Sequence, residues 1–271
     1  MTSTSAELST PRGDLTRQIT VAASAILAVI GAFVGSGAAG GTRIQDASGG
    51  ALAADATLLA PGGGAFSIWS VVYVGLVAYA VWQFLPAQRT EERQRRVGYL
   101  VAASLVLNAA WILAIQFDQL ALSVPVIVAL LVVLIMAFRG CLATRAAGLV
   151  EIVLTDGTIG LYLGWVCVAT AANLTAVLVA AGFDGWGLPP EAWAVAVLAV
   201  VGVIGAWLAV WDRGRIAPTL SLAWGLSWIA IARLTDAPPS TFTAVMAIAA
   251  AVVIVGATIW SRLAAMRARA R

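Results

Sequence analysis

Eight stretches of mostly apolar residues, at roughly 19–40, 64–86, 98–116, 120–138, 156–181, 190–211, 218–234 and 243–265, follow one another with only short polar connections between them. Most reach the ~20 residues that an α-helix needs to cross a hydrocarbon core. Inside lipid every backbone N–H and C=O must be satisfied within the chain, so such runs have one ordinary solution, the helix. With 61% of residues hydrophobic, 11% charged and a mean hydropathy of +0.95, no soluble core could hide this much apolar surface. The expected fold is an all-α integral membrane protein with eight transmembrane helices, of which the shortest, 218–234, is the weakest member.

Two absences narrow the chemistry. All sixteen Lys+Arg residues are arginine, and there is no histidine. A retinal Schiff base needs lysine, a bis-histidine haem needs histidine, and the usual zinc sites need histidine or several cysteines, so no cofactor and no metal site is expected. Cys141, placed in an arginine-bearing loop, and Cys167, inside a helix, read as two unpaired thiols. The basic balance reports topology, not nucleic acid. Fourteen arginines fall at the termini or in connections on one side, and only Arg43 and Arg233 on the other. By the positive-inside rule both termini are cytoplasmic.

The polar stretch 1–17 reads as a disordered cytoplasmic tail and 266–271 as a basic one. The first apolar run exceeds the usual signal-peptide core and is expected to be retained as a span. The outer connection Gly41–Gly63 is rich in Gly, Ala and Asp. It reads as flexible filler or as a mobile cover over an outward-facing site, with composition leaning to filler. No convincing internal repeat appears, which disfavours an inverted-repeat transporter.

The residues that carry chemistry are deep amides and indoles. Asn108 and Trp111 lie three apart on one face of the third run; Trp165, Ala169 and Asn173 form a stripe at steps of four on the fifth. At 1.5 Å per residue Asn108 lies roughly 15 Å above Gly98 and Trp111 roughly 20 Å; Trp165 lies roughly 12 Å above Gly157 and Asn173 roughly 24 Å. Each Asn thus stands near the height of the other helix's Trp, and crosswise indole-to-amide bonds are chemically possible. The stripe is equally compatible with helix packing, in which an Asn bonds across to a neighbour and an Ala admits close approach. Phe66, Trp69 and Tyr73 share a face at the outer end of the second run, and Trp224 and Trp228 lie near the middle of the seventh. Trp82, Trp193, Trp207, Trp211 and Trp260 sit near run ends as interfacial anchors. Asp156 is expected to cap a helix start, and Arg233 to snorkel or to pair with Asp236. No nucleophile with a base, no paired buried carboxylates and no phosphate loop are visible, so the chain is not expected to be an enzyme.

These residues resemble the TspO/MBR family, the tryptophan-rich sensory proteins related to the translocator protein (peripheral benzodiazepine receptor). The match rests on F-x2-W-x3-Y at Phe66, Trp69 and Tyr73, L-N-x2-W at Leu107, Asn108 and Trp111, and W-x3-A-T-x2-N at Trp165, Ala169, Thr170 and Asn173. It covers about residues 19–182 and implies a five-helix bundle (18–182) followed by a three-helix extension (183–265) with no counterpart in the five-helix form. The resemblance implies a membrane receptor or carrier with a transport or sensory role. Its ligand would be a porphyrin or other flat, tetrapyrrole-like or apolar small molecule. It also implies a homodimer and a setting in a lipid bilayer, here the bacterial cell membrane. Phe66, Trp69, Tyr73, Asn108, Trp111, Trp165, Ala169 and Asn173 carry over as ligand-binding or supporting positions. The Pro- and Trp-rich loop of the family is reduced here to PGGGAF. The rival readings are a secondary transporter coupled through Asp156 or Glu151, and a non-catalytic scaffold.

Overall fold

A computed structural model of the protein describes residues 11–38 and 42–269. The apolar runs form eight helices: α1 (Pro11–Gly35), α2 (Ile68–Trp82), α3 (Glu92–Gln116), α4 (Leu120–Ala143), α5 (Thr158–Ala180), α6 (Pro190–Trp211), α7 (Ile216–Thr235) and α8 (Thr241–Arg269). A 3-10 turn, Gly63–Ser67, leads into α2, and a π-helical segment, Ile152–Gly157, leads into α5. Among the described residues seven helices, with these lead-in segments, are long and apolar enough to cross a membrane. The eighth, α7, is not among them, because Pro218, Thr219, Ser221, Gly225, Ser227 and Arg233 dilute its apolar content.

Two expected tails are partly helix. α1 begins at Pro11 because Asp14 and Arg17, both buried, have partners: Arg95 Nη2 lies 2.6 Å from Asp14 Oδ2, and Arg17 donates to the Arg89 carbonyl at 3.0 Å. α8 continues through 266–269. The remainder of the expected tails, 1–10 and 270–271, lies outside the described residues. Cys141 is likewise in the last turn of α4 and buried, not in a loop.

The packing order explains how the site is framed. α1 lies on α3, α3 on α4 and α4 on α5, while α2 closes the ring between α5 and α1. α7 packs on the outside of α5, and α8 joins α7 to α6. The α5–α7 seam is built from small residues: Gly160 faces Ala217 and Pro218, Gly164 faces Pro218 and Ser221, and Gly225 faces Val168. Without a hydrophobic drive between helices in lipid, such close backbone approach supplies the dispersion and dipole contacts that hold a polar helix in place. A Cβ at residue 164 collides with the Pro218 carbonyl, so Gly164→Ala is expected to cost about 1–3 kcal/mol. Thermal melting in detergent measures this; an unchanged midpoint would show that α7 is not pressed against α5.

The ends of the helices are sorted by hydrogen bonds. At one end Arg17 meets the α2–α3 connection, Arg93 and Arg215 meet Asp156, and Arg262 donates to Gly214. Asp212 in the α6–α7 turn accepts from the backbone N–H groups of Gly214 and Arg215; burial, opposed by those bonds, pushes its carboxyl up to about 6. At the opposite end the α1–α2 connection meets α3 and α7. The arginine-rich end is thus a physical face of the bundle.

Beneath that face lies a buried ionic cluster that the sequence reading missed. Asp156 is not a cap. One of its oxygens accepts from Arg93 and the other from Arg215 at 2.5 Å. Glu151 sits 3.6 Å from Arg93 Nε and accepts from Gln94 Nε2 at 3.0 Å and from the Ala147 N–H at 2.7 Å; Tyr79 in turn donates to Gln94. Two buried carboxylates therefore do meet, through Arg93. The π segment is the cause: five residues apart on an α-helix is about 140° around the axis, whereas i→i+5 winding brings Glu151 and Asp156 to one face.

Candidate ligand-binding site

At the end opposite the ionic cluster, α3, α5 and the 3-10 turn before α2 border a small cavity of about 40 Å³ beneath the α1–α2 connection. Phe66, Trp111, Trp165, Ala169 and Asn173 form its floor and walls, so five of the eight expected positions line it. Trp69, Tyr73 and Asn108 stand behind them. The rings of Phe66 and Trp69 meet Trp165 edge to face at 6.0 and 6.3 Å, and Trp69 also packs on Tyr73 at 5.5 Å and Tyr162 at 5.6 Å. Edge-to-face aromatic packing of this kind fixes ring orientation while leaving flat apolar area toward the hollow.

Of the two crosswise bonds expected from matching heights, one forms. Trp111 Nε1 donates to Asn173 Oδ1 at 3.2 Å, both side chains being buried. The other does not: Asn108 Nδ2 donates to the Tyr73 hydroxyl at 2.5 Å, and Trp165 is turned toward the α2 aromatics. α2 intervenes where the two-helix argument left empty space. Three buried polar atoms around the cavity are left without a protein partner: Asn108 Oδ1, Trp165 Nε1 and, above them, Thr57 Oγ1. Asn173 has a further partner absent from the sequence reading, Ser123 of α4, to which its Nδ2 donates at 2.9 Å. A serine three residues into an apolar helix carries no signal by itself. Thr170 spends its hydroxyl on the Val166 carbonyl at 2.7 Å.

The roof is the α1–α2 connection, and it is not flexible filler. Residues Thr57–Ala60 are buried, and Ala51, Leu52, Thr57, Ala60 and Pro61 face the cavity. Ser48 Oγ donates to the Ile115 carbonyl at 2.8 Å, and Gln116 Nε2 to the Thr42 carbonyl at 2.8 Å. α7 supplies the stronger hold. Gly62 N–H donates to the Trp228 carbonyl at 3.2 Å, Trp224 Nε1 donates to the Ala65 carbonyl at 3.0 Å, and the Trp228 ring fills the space where Gly62 and Gly64 have no side chain. Pro61-Gly-Gly-Gly is thus a surface shaped to an indole.

Arg233 completes the latch. It neither snorkels nor pairs with Asp236: with 1% exposure, it donates to the carbonyls of Ala54 at 2.5 Å and Thr57 at 3.1 Å on the roof, and to those of Ala237 and Pro238 after α7. Arg43, the other arginine of this end, is exposed and paired with Asp46 at 2.8 Å. The signal for the latch in the sequence was its charge near the end of an apolar helix, but the carbonyls that satisfy it lie about 180 residues away.

A family model described as TSPO-like protein matches residues 20–260. The match runs past the first five helices and through most of α8, so α6–α8 lie within it. No curated protein and no solved structure matches the chain.

Proposed function

The chain belongs to the TSPO-like family, and on that premise we propose that it binds a flat apolar ligand such as a porphyrin in the space under the α1–α2 connection. Family membership gives a membrane-associated binding or transport role, and the family is generally non-enzymatic. The ligand class is our reading. The observation that carries it is Trp165: its ring lines the cavity, while its Nε1, a donor that needs an acceptor when buried, has no partner in the protein. A ligand carbonyl or carboxylate supplies that acceptor, and Phe66, Trp111 and Trp165 supply flat apolar contact.

Size sets the mechanism. Ligand pockets of this class measure about 300–1,000 Å³, far more than the ~40 Å³ present beneath the closed roof. Binding therefore requires the roof to lift from Trp224, Trp228 and Arg233, which makes the α1–α2 connection a gate and α7 its keeper. In this reading the protein is a carrier or sensor of a cell membrane, with the arginine-rich end and both termini cytoplasmic and the gate outward, and a homodimer as the assembly.

Porphyrin titration of the purified protein, followed by tryptophan quenching and by porphyrin absorbance, tests the site. Trp165→Phe keeps the ring and removes the donor, and is expected to weaken binding about 2- to 10-fold, the worth of one hydrogen bond. Adding Trp111→Phe, which removes the indole donor to Asn173 Oδ1 and leaves Asn173 bonded to Ser123 alone, weakens it further. A double variant that titrates like the wild type rules the site out.

A further inference from the structure

A second concavity lies at the arginine-rich end, between the last turn of α6 and the end of α8. It is an open groove of about 380 Å³ lined by Val210, Arg213, Trp260, Ser261, Ala264 and Ala268. Its chemistry is unlike that of the first cavity. Ser261 is only 6% exposed, and its hydroxyl has no hydrogen-bond partner, although a buried helical serine ordinarily bonds back to the preceding turn. Arg213 is exposed and its guanidinium has no partner among the described residues, while its backbone takes the left-handed conformation at φ +61°. A buried, unsatisfied hydroxyl on a residue that lines the groove and an unpaired cation at its rim together point to a site for an anionic oxygen group.

The surroundings select its source. Asp212, the nearest carboxylate in sequence, is turned inward onto the N–H groups of Gly214 and Arg215, and so does not oppose an anion at Arg213. Arg262 and Arg267 add positive charge on the same helix end, where α8 holds no acidic residue. Trp260 is 65% exposed beside the groove, and Trp207 stacks on Trp211 at 5.9 Å on α6. Exposed indoles clustered with arginines at helix ends mark the headgroup level of a bilayer. Below the groove the outward faces of α6 and α8 are apolar, with Val203, in line with Val210, and Val253, in line with Trp260 and Ala264, exposed.

We propose that this groove binds the headgroup of an anionic phospholipid: its phosphodiester oxygens accept from the Ser261 hydroxyl and the Arg213 guanidinium, and its acyl chains lie on the apolar faces of α6 and α8. A zwitterionic lipid offers the same phosphate but brings its own cation toward Arg213, Arg262 and Arg267, so the site discriminates by net headgroup charge. The site is independent of the ligand cavity at the other end.

Native mass spectrometry of the full chain in detergent, with phosphatidylglycerol and phosphatidylcholine added at equal mole fraction, tests it. The wild type is expected to retain phosphatidylglycerol at least tenfold over phosphatidylcholine. Arg213→Gln and Ser261→Val are each expected to reduce that preference several-fold, and Arg145→Gln, an exposed arginine elsewhere at the same end, to leave it intact. Melting in phosphatidylcholine micelles checks that each variant is folded; if Ser261→Val is not, the exposed Arg213→Gln carries the test. Equal retention of the two lipids, an Arg145→Gln effect as large as that of Arg213→Gln, or displacement of phosphatidylglycerol by millimolar inorganic phosphate would each overturn the proposal, the last by showing a free-anion site.

Discussion

Asp156→Asn is expected to destabilise the protein by about 3–5 kcal/mol, the usual cost of removing one partner from a buried ion pair. The carboxylate holds Arg93, which is 2% exposed and reaches no bulk water, and Arg215, the last residue of the α6–α7 turn, directly before α7. Its loss leaves a buried guanidinium opposite a neutral amide and unties the turn that positions α7. Chemical denaturation or thermal melting in detergent reads the effect. Adding Arg93→Met together with Glu151→Gln, which removes the third buried charge of the cluster, is expected to recover part of the loss, because burying none of these charges is cheaper than burying one unpaired. A loss below about 1 kcal/mol would show that water reaches Arg93, and would remove the cluster as a structural tie. The same variant separates the transporter reading from the carrier reading. Solute flux that collapses while the fold and ligand binding persist favours coupling through Asp156; a fold that weakens with flux unaffected per folded molecule favours a tie.

The second large effect concerns the latch. Arg233→Gln removes a charged donor from four backbone carbonyls at once, and charge-assisted bonds contribute about 1.5–3 kcal/mol each. If only the two bonds to the roof are counted, the closed state loses about 3 kcal/mol or more, which at 1.4 kcal/mol per decade is roughly a 100-fold rise in roof opening. Hydrogen exchange measures this directly at Gly62, whose N–H is held by the Trp228 carbonyl, and at Ala60 and Ala65. Ligand association should accelerate in the same variant, because the closed roof leaves too little volume for any flat ligand. Unchanged exchange at Gly62 would mean that the indoles of α7 alone keep the roof down.

How far the sequence reaches depends on the distance over which each signal acts. Helix positions follow from local apolar runs, and the segregation of Arg213, Arg215 and Arg262 from Arg43 and Arg233 follows from charge alone. Both were legible except at the boundaries: α1 begins at Pro11 and α3 at Glu92, well before the apolar runs do, and α4 runs on to Ala143, which is why Cys141 was misplaced in a loop. The Trp111–Asn173 bond was legible because it needs only two heights on two helices. Asn108 was misassigned because a third helix supplies Tyr73, and heights do not say what stands between two helices. The pairing of Glu151 and Asp156 was hidden for a different reason: their spacing separates them on the α-helix that the sequence implies, and only the π segment reunites them. α7 posed the opposite difficulty. Its Gly225 and Ser221 make it the least apolar run, which reads as weakness in isolation; against Gly164 and Val168 of α5 the same residues are what allow contact.

The latch also orders events in time. The roof carbonyls of Ala54 and Thr57 are synthesised 179 and 176 positions before the arginine that grips them. At about 5–20 residues per second, roughly 10–35 s of translation separate the two. The walls themselves are complete only when α5 ends at Ala180, so for the last 53 residues before Arg233, roughly 3–11 s at that rate, the nascent bundle has its walls but lacks the helix that fastens the ceiling from the other side.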